Sequence, residues 1–208
     1  MGRLDPRLRA ALEEQLEDRR RLMAQGARRV GWKMGMGERE RIGTGPVIGY
    51  LTSATVLAAG EAYPAGDAVA LHADAEVALE LGTGGEVVGY GAALELVDLG
   101  PPRDAERIVA TNVFHRAVAF GPRQGALPDV EGRLIVDGEE RCRAPARRDQ
   151  AEVARQAAHL LEAVGERLRP GDLLITGSVV QTAVRPGERV VADLGALGRV
   201  EATIARAT

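Results

Sequence analysis

From Val69 to Leu81 every second residue is apolar or small: Val69, Leu71, Ala73, Ala75, Val77, Leu79 and Leu81. Between them stand Ala70, His72, Asp74, Glu76, Ala78 and Glu80. Successive side chains of a strand point to opposite faces, so this alternation predicts one long strand with an apolar and a polar face. Its thirteen residues exceed the usual strand of about 5–6 residues, so a bend or bulge is expected. Asp74 and Glu76 fall on the same face, roughly 7 Å apart along the strand. Two carboxylates so placed can reach one hard cation. They are equally what the solvated face of an amphipathic strand presents.

Glu95 adds weight to the first reading. It is the one carboxylate inside Ala93-Leu94-Glu95-Leu96-Val97, a run otherwise suited to a core. A buried carboxylate must be neutralised, paired with a cation, or bound to a metal. Together with Asp74 and Glu76 it makes an all-oxygen set suited to Mg²⁺ or Mn²⁺ rather than zinc. A solvent-facing Glu95, or one paired with an arginine, is the competing reading. His72 shares the Asp74 face and reads either as a fourth ligand or as a partly exposed strand histidine. His115 and His159 stand apart from every cluster in the sequence.

The chain has 27 basic residues, of which 26 are arginine and one is Lys33. Lysine can lose its proton and arginine in practice cannot. Lys33 lies in the apolar, glycine-flanked stretch Val30-Gly31-Trp32-Lys33-Met34-Gly35. That setting suits an acid/base group beside a Lewis acid. It also suits a lysine snorkelling from a strand edge.

Around these residues the pattern is mixed. Leu8, Leu12, Leu16, Met23 and Ala27 recur near helical spacing, predicting a helix over about 5–26 that Gly26 ends. Strands are expected at 28–36 and 47–52, with Gly43-Thr44-Gly45-Pro46 between them, and again at 92–97. A short helix is expected at 104–112, and strands at 115–120 and 132–138. Residues 141–148, rich in arginine, read as a basic loop carrying Cys142. Asp149 and Glu152 form a capping box for a helix whose apolar face is Val153, Ala154, Ala157, Leu160, Leu161 and Val164. Short strands follow at 172–176, 189–194 and 199–205. Strands with helices near both ends predict one α+β domain over 1–208, with 1–27 as an N-terminal helical segment.

Several function classes are disfavoured. A net charge of −3 argues against nucleic-acid partners, which call for a basic excess. No stretch approaches the ~20 apolar residues of a membrane span. Met1-Gly2-Arg3-Leu4-Asp5-Pro6 does not read as a signal peptide, so a soluble cytoplasmic protein is expected. A single cysteine makes neither an internal disulfide nor a Cys-based zinc cluster. Neither a phosphate-binding glycine motif nor a nucleophile elbow is present.

The order of segments resembles the fumarylacetoacetate hydrolase superfamily, and within it the 2-keto-4-pentenoate hydratase and 4-oxalocrotonate decarboxylase branch. The likeness is carried by Gly31-Trp32-Lys33-Met34-Gly35, Gly49-Tyr50-Leu51, Asp74-Ala75-Glu76-Val77-Ala78 and Leu94-Glu95-Leu96-Val97. Asn112 with Phe120-Gly121-Pro122 fits the middle segment. The most specific part is the tail from Leu168 through Pro170-Gly171-Asp172 to Thr176-Gly177-Ser178, with Pro186-Gly187-Glu188 and Leu197-Gly198-Arg199-Val200. The resemblance implies a mixed β-roll with peripheral helices and a homodimer or larger homo-oligomer. It implies Mg²⁺ or Mn²⁺ held by Asp74, Glu76 and Glu95, with Lys33 catalytic and Thr176, Gly177 and Ser178 near a small 2-oxo acid substrate. In such enzymes the metal chelates the 2-oxo carboxylate and stabilises an enolate during hydration, decarboxylation or C–C cleavage.

The chain also departs from that pattern. Asp74 stands for a glutamate, Ala54 for an aspartate, and Arg143-Ala144-Pro145-Ala146-Arg147-Arg148 for a Gly-His-Pro-type segment. Three functional readings therefore stand: a metal-dependent hydratase or decarboxylase, an acylpyruvate-type C–C hydrolase, and a non-catalytic relative serving as a partner subunit.

Overall fold

The computed structural model describes residues 4–43, 45–58, 60–147 and 149–206. Thr44 and Arg148, on which two of the expected loops fall, lie outside them, as do the first three residues.

Helix α1 (Pro6–Ala24) begins as its sequence demands. The Asp5 carboxylate accepts the Arg7 N–H at 2.9 Å, and Pro6 sits where no intrahelical N–H is required. Leu8, Leu12 and Leu16 are buried, while Met23, expected on the same face, is 38% exposed, and in that turn Leu22 packs against the core instead. Gln15 Nε2 donates to the Ile48 and Val109 carbonyls at 3.0 and 2.6 Å, tying the helix to the rest of the fold. No helix among the described residues is long and apolar enough to cross a membrane.

The first strands are β1 (Arg29–Gly35), β2 (Val47–Thr52), β3 (Ala62–Pro64), β4 (Leu71–Leu81) and β5 (Val87–Asp98). Helix α2 (Ala105–Ala110), β6 (His115–Gln124), β7 (Glu131–Val136) and β8 (Glu139–Pro145) follow. Then come α3 (Gln150–Glu162), β9 (Leu173–Ile175), β10 (Val180–Ala183), β11 (Arg189–Asp193), a 3₁₀ turn (Gly195–Leu197) and β12 (Arg199–Ala205). One sheet runs β2-β1-β9-β4-β5-β6, with β10 also paired to β4; the other runs β3-β12-β11-β7-β8. The mixed α+β roll expected from the sequence is the observed architecture.

Two local expectations change. The arginine-rich 141–148 segment is largely strand: β8 pairs with β7, and Arg141 and Arg143 lie on its exposed side against Glu139 and Glu140. At α3, Asp149 accepts the Glu152 N–H at 3.0 Å, but the Glu152 carboxylate turns to Arg155 and Gln156, so only half of the capping box forms.

The long alternating strand starts at Leu71, two residues later than its pattern, and Val69 is 74% exposed. The expected irregularity is a register shift between Glu80 and Leu81. Its odd face, Ala73, Ala75, Val77 and Leu79, enters the main core. Its even face is not the solvated one. Ala78 joins Leu51, Ala93, Val118 and Ile175 in a second buried cluster, and Asp74 and Glu76 lie deep beside it. A strand at the centre of a sheet covered on both faces has no solvent side to offer its carboxylates.

Strand β9 connects the halves of this face. It pairs in parallel with β1, Lys33 opposite Ile175, and antiparallel with β4, Ile175 opposite Ala78. The two strands approach so closely that a Cβ on Gly31 (φ +155°) would lie 1.8 Å from the Leu173 carbonyl oxygen. Gly31→Ala is therefore expected to destabilise the protein by about 3 kcal/mol or more, because backbone has to move. Chemical denaturation measures this, and a wild-type midpoint would show that β1 can shift without loss.

Candidate active site

The three acids come together through cross-strand register. Asp74 lies directly opposite Glu95 in the β4–β5 pair, and Glu76 is one step along the same face. Like charges in that position repel. Oxygens of all three carboxylates lie within 4.8 Å of one another. All three residues are 5% exposed or less. They line a cavity of about 410 Å³ with Lys33, Ser178 and Gln181. A somewhat larger groove of about 490 Å³ runs between α3 and the β4–β5 turn, but its titratable groups, Glu86, Arg155, Glu162 and Arg167, are not buried.

Each acid has a distinct environment. Lys33 Nζ sits 2.5 Å from Glu95 Oε1 and donates to the Val113 carbonyl at 2.9 Å. His115 Nδ1 lies 2.7 Å from the same Glu95 oxygen. Burial pushes the Glu95 carboxyl upward, but Lys33 and the His115 hydrogen bond outweigh it and hold Glu95 below the ordinary glutamate value. Asp74 has no such cation against it. Burial, then the neighbouring Glu95 charge, push it up to about 7, against a partial offset from a Gln181 hydrogen bond. Glu76 is driven well above its usual value by burial and by Glu95 and Asp74 together, although Gly177 N–H donates to its Oε2 at 2.9 Å.

The loop holding Gly177 exists because β9 and β10 pair successive stretches of one edge of β4, at Ala78–Glu80 and His72–Ala75. Thr176 N–H donates to the Val77 carbonyl and Val179 N–H to the Ala75 carbonyl, so the connection bulges beside Glu76. Gly177 takes φ +95°, and a Cβ there would lie 2.5 Å from Met36 Cγ. Of the expected trio, Ser178 reaches the cavity wall, while the Thr176 hydroxyl donates back to the Val77 carbonyl at 3.2 Å.

Lys33 is positioned from the other side by an unusual turn. Asn112, Val113 and Phe114 all have positive φ, between 53 and 65°. Such left-handed residues without glycine are costly and persist only where the surroundings fix them. Here the buried Asn112 side chain accepts the Tyr50 N–H at 2.7 Å and donates to the Tyr50 carbonyl at 3.0 Å. The turn delivers the Val113 carbonyl to Lys33.

His115 is the residue the sequence left aside. Pairing of β5 with β6 keeps register from Ala93–Phe120 through Leu96–Ala117 and then slips, so that Val97 faces His115. A one-residue bulge switches which side chains share a face, which brings His115 onto the Glu95 side. Burial pulls its pKa below the usual histidine value against the opposing pull of Glu95. Its Nε2 lies 2.8 Å from Thr55 Oγ1, so both ring nitrogens are engaged. His72 is only half-buried, with Nδ1 2.9 Å from the Ala70 carbonyl oxygen, and is not among the clustered acids. Ala54 is exposed in the turn after β2, next to Thr55.

The donor set fits a hard divalent cation. Asp74 Oδ1 is buried with no hydrogen-bond partner, and three mutually repelling carboxylates face a single balancing lysine. All the candidate donors are oxygens, the ligands that Mg²⁺, Mn²⁺ and Ca²⁺ favour.

Residues 33–205 match the family model described as fumarylacetoacetate (FAA) hydrolase C-terminal. By sequence, no curated protein matches the chain significantly. Among solved structures, the fold is similar to 4-oxalocrotonate decarboxylase from Pseudomonas putida G7 complexed with magnesium and adipate. That match has 22% identity and a TM-score of 0.82, covering 93% of this chain and 84% of the other. Fumarylpyruvate hydrolase from Pseudomonas aeruginosa, in complex with Mn²⁺ and pyruvate, is 22% identical with a TM-score of 0.63, over 86% and 90% of the two chains. A 5-carboxymethyl-2-hydroxymuconate delta-isomerase from Mycobacterium smegmatis is 19% identical with a TM-score of 0.65, over 87% and 80%.

Proposed function

Since this chain belongs to the fumarylacetoacetate hydrolase family, we propose that it is a divalent-metal-dependent lyase acting on a small 2-oxo acid, of the hydratase or decarboxylase type. The observation that carries this reading is the buried triad of Asp74, Glu76 and Glu95 with an unpartnered Asp74 oxygen, facing a cavity that Lys33 also lines. The magnesium and Mn²⁺ complexes of the two similar structures, one with pyruvate, support it.

Asp74, Glu76 and Glu95 would hold Mg²⁺ or Mn²⁺. Bound there, the cation supplies Lewis-acid charge that polarises the 2-oxo acid. The chain's own groups do the rest. Glu95 and the Val113 carbonyl account for two of the three ammonium hydrogens of Lys33. The third serves a substrate carboxylate, or a proton moved at Nζ. Ser178 and Gln181 add polar groups to the cavity wall, and the rigid strands β1, β4 and β5 hold the set in place. The burial of the triad excludes water from the charges. The hydrolase reading rests on the likeness to fumarylpyruvate hydrolase, and the non-catalytic one on Ala54.

Thermal melts with and without millimolar Mg²⁺ or Mn²⁺, each repeated with oxalate, test the metal reading on wild type and Glu95→Gln. A cation at ~100 times its dissociation constant adds about 2.7 kcal/mol, or roughly 5–10 °C for a chain of this length. Oxalate is expected to enlarge the shift and Glu95→Gln to remove it. No shift in wild type would turn the assignment to the non-catalytic relative. Product analysis on vinylpyruvate-, oxalocrotonate- and acylpyruvate-type substrates then separates lyase from hydrolase.

A further inference from the structure

We infer that His115 is a positioning residue for Glu95: with Lys33 it holds one carboxylate oxygen, Oε1, so that Oε2 is the atom Glu95 presents to a divalent cation. The inference rests on the metal-site reading above. Oε1 lies 2.7 Å from His115 Nδ1 and 2.5 Å from Lys33 Nζ, and the His115 and Glu95 side chains are each 1% exposed. Two donors on one oxygen leave the other without competition. The same division recurs in the triad. Glu76 Oε2 is held by the Gly177 N–H, and Asp74 Oδ1 has no partner.

The chemistry of the partners sets the direction of the contact. Thr55 has one hydroxyl hydrogen, and its Oγ1 lies 2.8 Å from His115 Nε2 but 3.3 Å from the Thr52 carbonyl oxygen. The Glu95 carboxylate can only accept, so Nδ1 carries the proton it donates to Oε1, and Nε2 of the neutral ring is left to accept from the Thr55 hydroxyl. The imidazole has no lone pair left for a metal. It acts on Glu95 as outer partners act on metal ligands generally, fixing orientation and basicity.

The test is titration of Mn²⁺ alone into the whole metal-free protein, with free Mn²⁺ read by electron paramagnetic resonance. Asparagine places its amide nitrogen near the Nδ1 position, and glutamine places its own near Nε2. His115→Asn is therefore expected to bind Mn²⁺ close to wild type, and His115→Gln about 10–100-fold more weakly. Thr55→Val, which removes only the outer hydroxyl, is expected to lose less than His115→Gln. Metal-free melts confirm folding, and should His115→Gln not fold, Thr55→Val decides. Wild-type affinity in His115→Gln, or in Thr55→Val, overturns the inference. Equal losses in the asparagine and glutamine variants overturn it too, since they would indicate a merely structural histidine. Failure of wild type to bind Mn²⁺ removes the metal-site reading itself, and the inference with it.

Discussion

Glu76→Gln is expected to raise the melting temperature of the metal-free protein at pH 8 and to abolish its response to Mg²⁺ or Mn²⁺. The amide keeps an oxygen to accept the Gly177 N–H, while the charge that repels Asp74 and Glu95 disappears. Replacing a poorly compensated buried charge by a neutral group of the same shape stabilises by about 1–4 kcal/mol. At this chain length that is a rise of roughly 2–4 °C for each kcal/mol.

The same residues set the pH dependence. Asp74 and Glu76 are held above their unfolded values in the fold, Asp74 at about 7. A raised acid contributes stability that is complete below the unfolded value and is lost as pH rises through the folded one. The two acids therefore lower the melting temperature of the metal-free protein from pH 5 toward pH 8, against the opposite contribution of His115, whose pKa is lowered. Glu76→Gln should remove part of the acids' share and shift the slope toward stability at pH 8. Metal binding needs deprotonated ligands, so its stabilisation grows in the opposite direction. Scanning calorimetry between pH 5 and 8 checks both. A Glu76→Gln protein with the wild-type pH slope, or with an undiminished metal shift, would show that the triad is not arranged as described.

Lys33→Met separates the cation from the ligands. Lys33 is 3% exposed and its partner Glu95 1%, so its loss strands a buried charge. The expected cost to the metal-free protein is about 3–5 kcal/mol. Mn²⁺ affinity should hold, because His115 still engages Glu95 Oε1 and a positive charge leaves the site while all three carboxylates remain. Turnover of the 2-oxo acid should fall by about 10²–10⁴-fold, the usual range for a positioned proton-transfer group. Lys33→Arg refines this, since it keeps the charge but not an amine that can lose its proton. Full turnover in Lys33→Arg would refute a proton role and leave only carboxylate binding. Loss of Mn²⁺ affinity in Lys33→Met would mean that His115 alone does not orient Glu95 and that Lys33 is needed to assemble the ligands.

By itself the sequence singled out the four residues to which the chemistry is assigned under the proposed function, Lys33, Asp74, Glu76 and Glu95, and the elements that bear them. Alternation is a local property, so it placed Asp74 and Glu76 on one face of β4. Apolar neighbours marked Glu95 as a carboxylate in a core setting, and composition singled out Lys33. The ordered motifs identified the family, and the leucine spacing and Asp149 cap located α1 and α3.

Only the tertiary structure decided what surrounds those residues. A period of two does not say which face of a strand meets solvent, and β4 is covered on both. Pairing Asp74 with Glu95 is a matter of register between strands, and joining Lys33 to them requires β9, a three-residue strand, between β1 and β4. The slip between β5 and β6 after Leu96–Ala117 reverses the face on which His115 lies, and no local pattern announces such a bulge. The left-handed turn at 112–114 is likewise imposed from a distance, by Asn112 on the backbone of Tyr50. Local periodicity selects side chains for a face; long-range pairing selects which faces meet, and the site is made of such meetings.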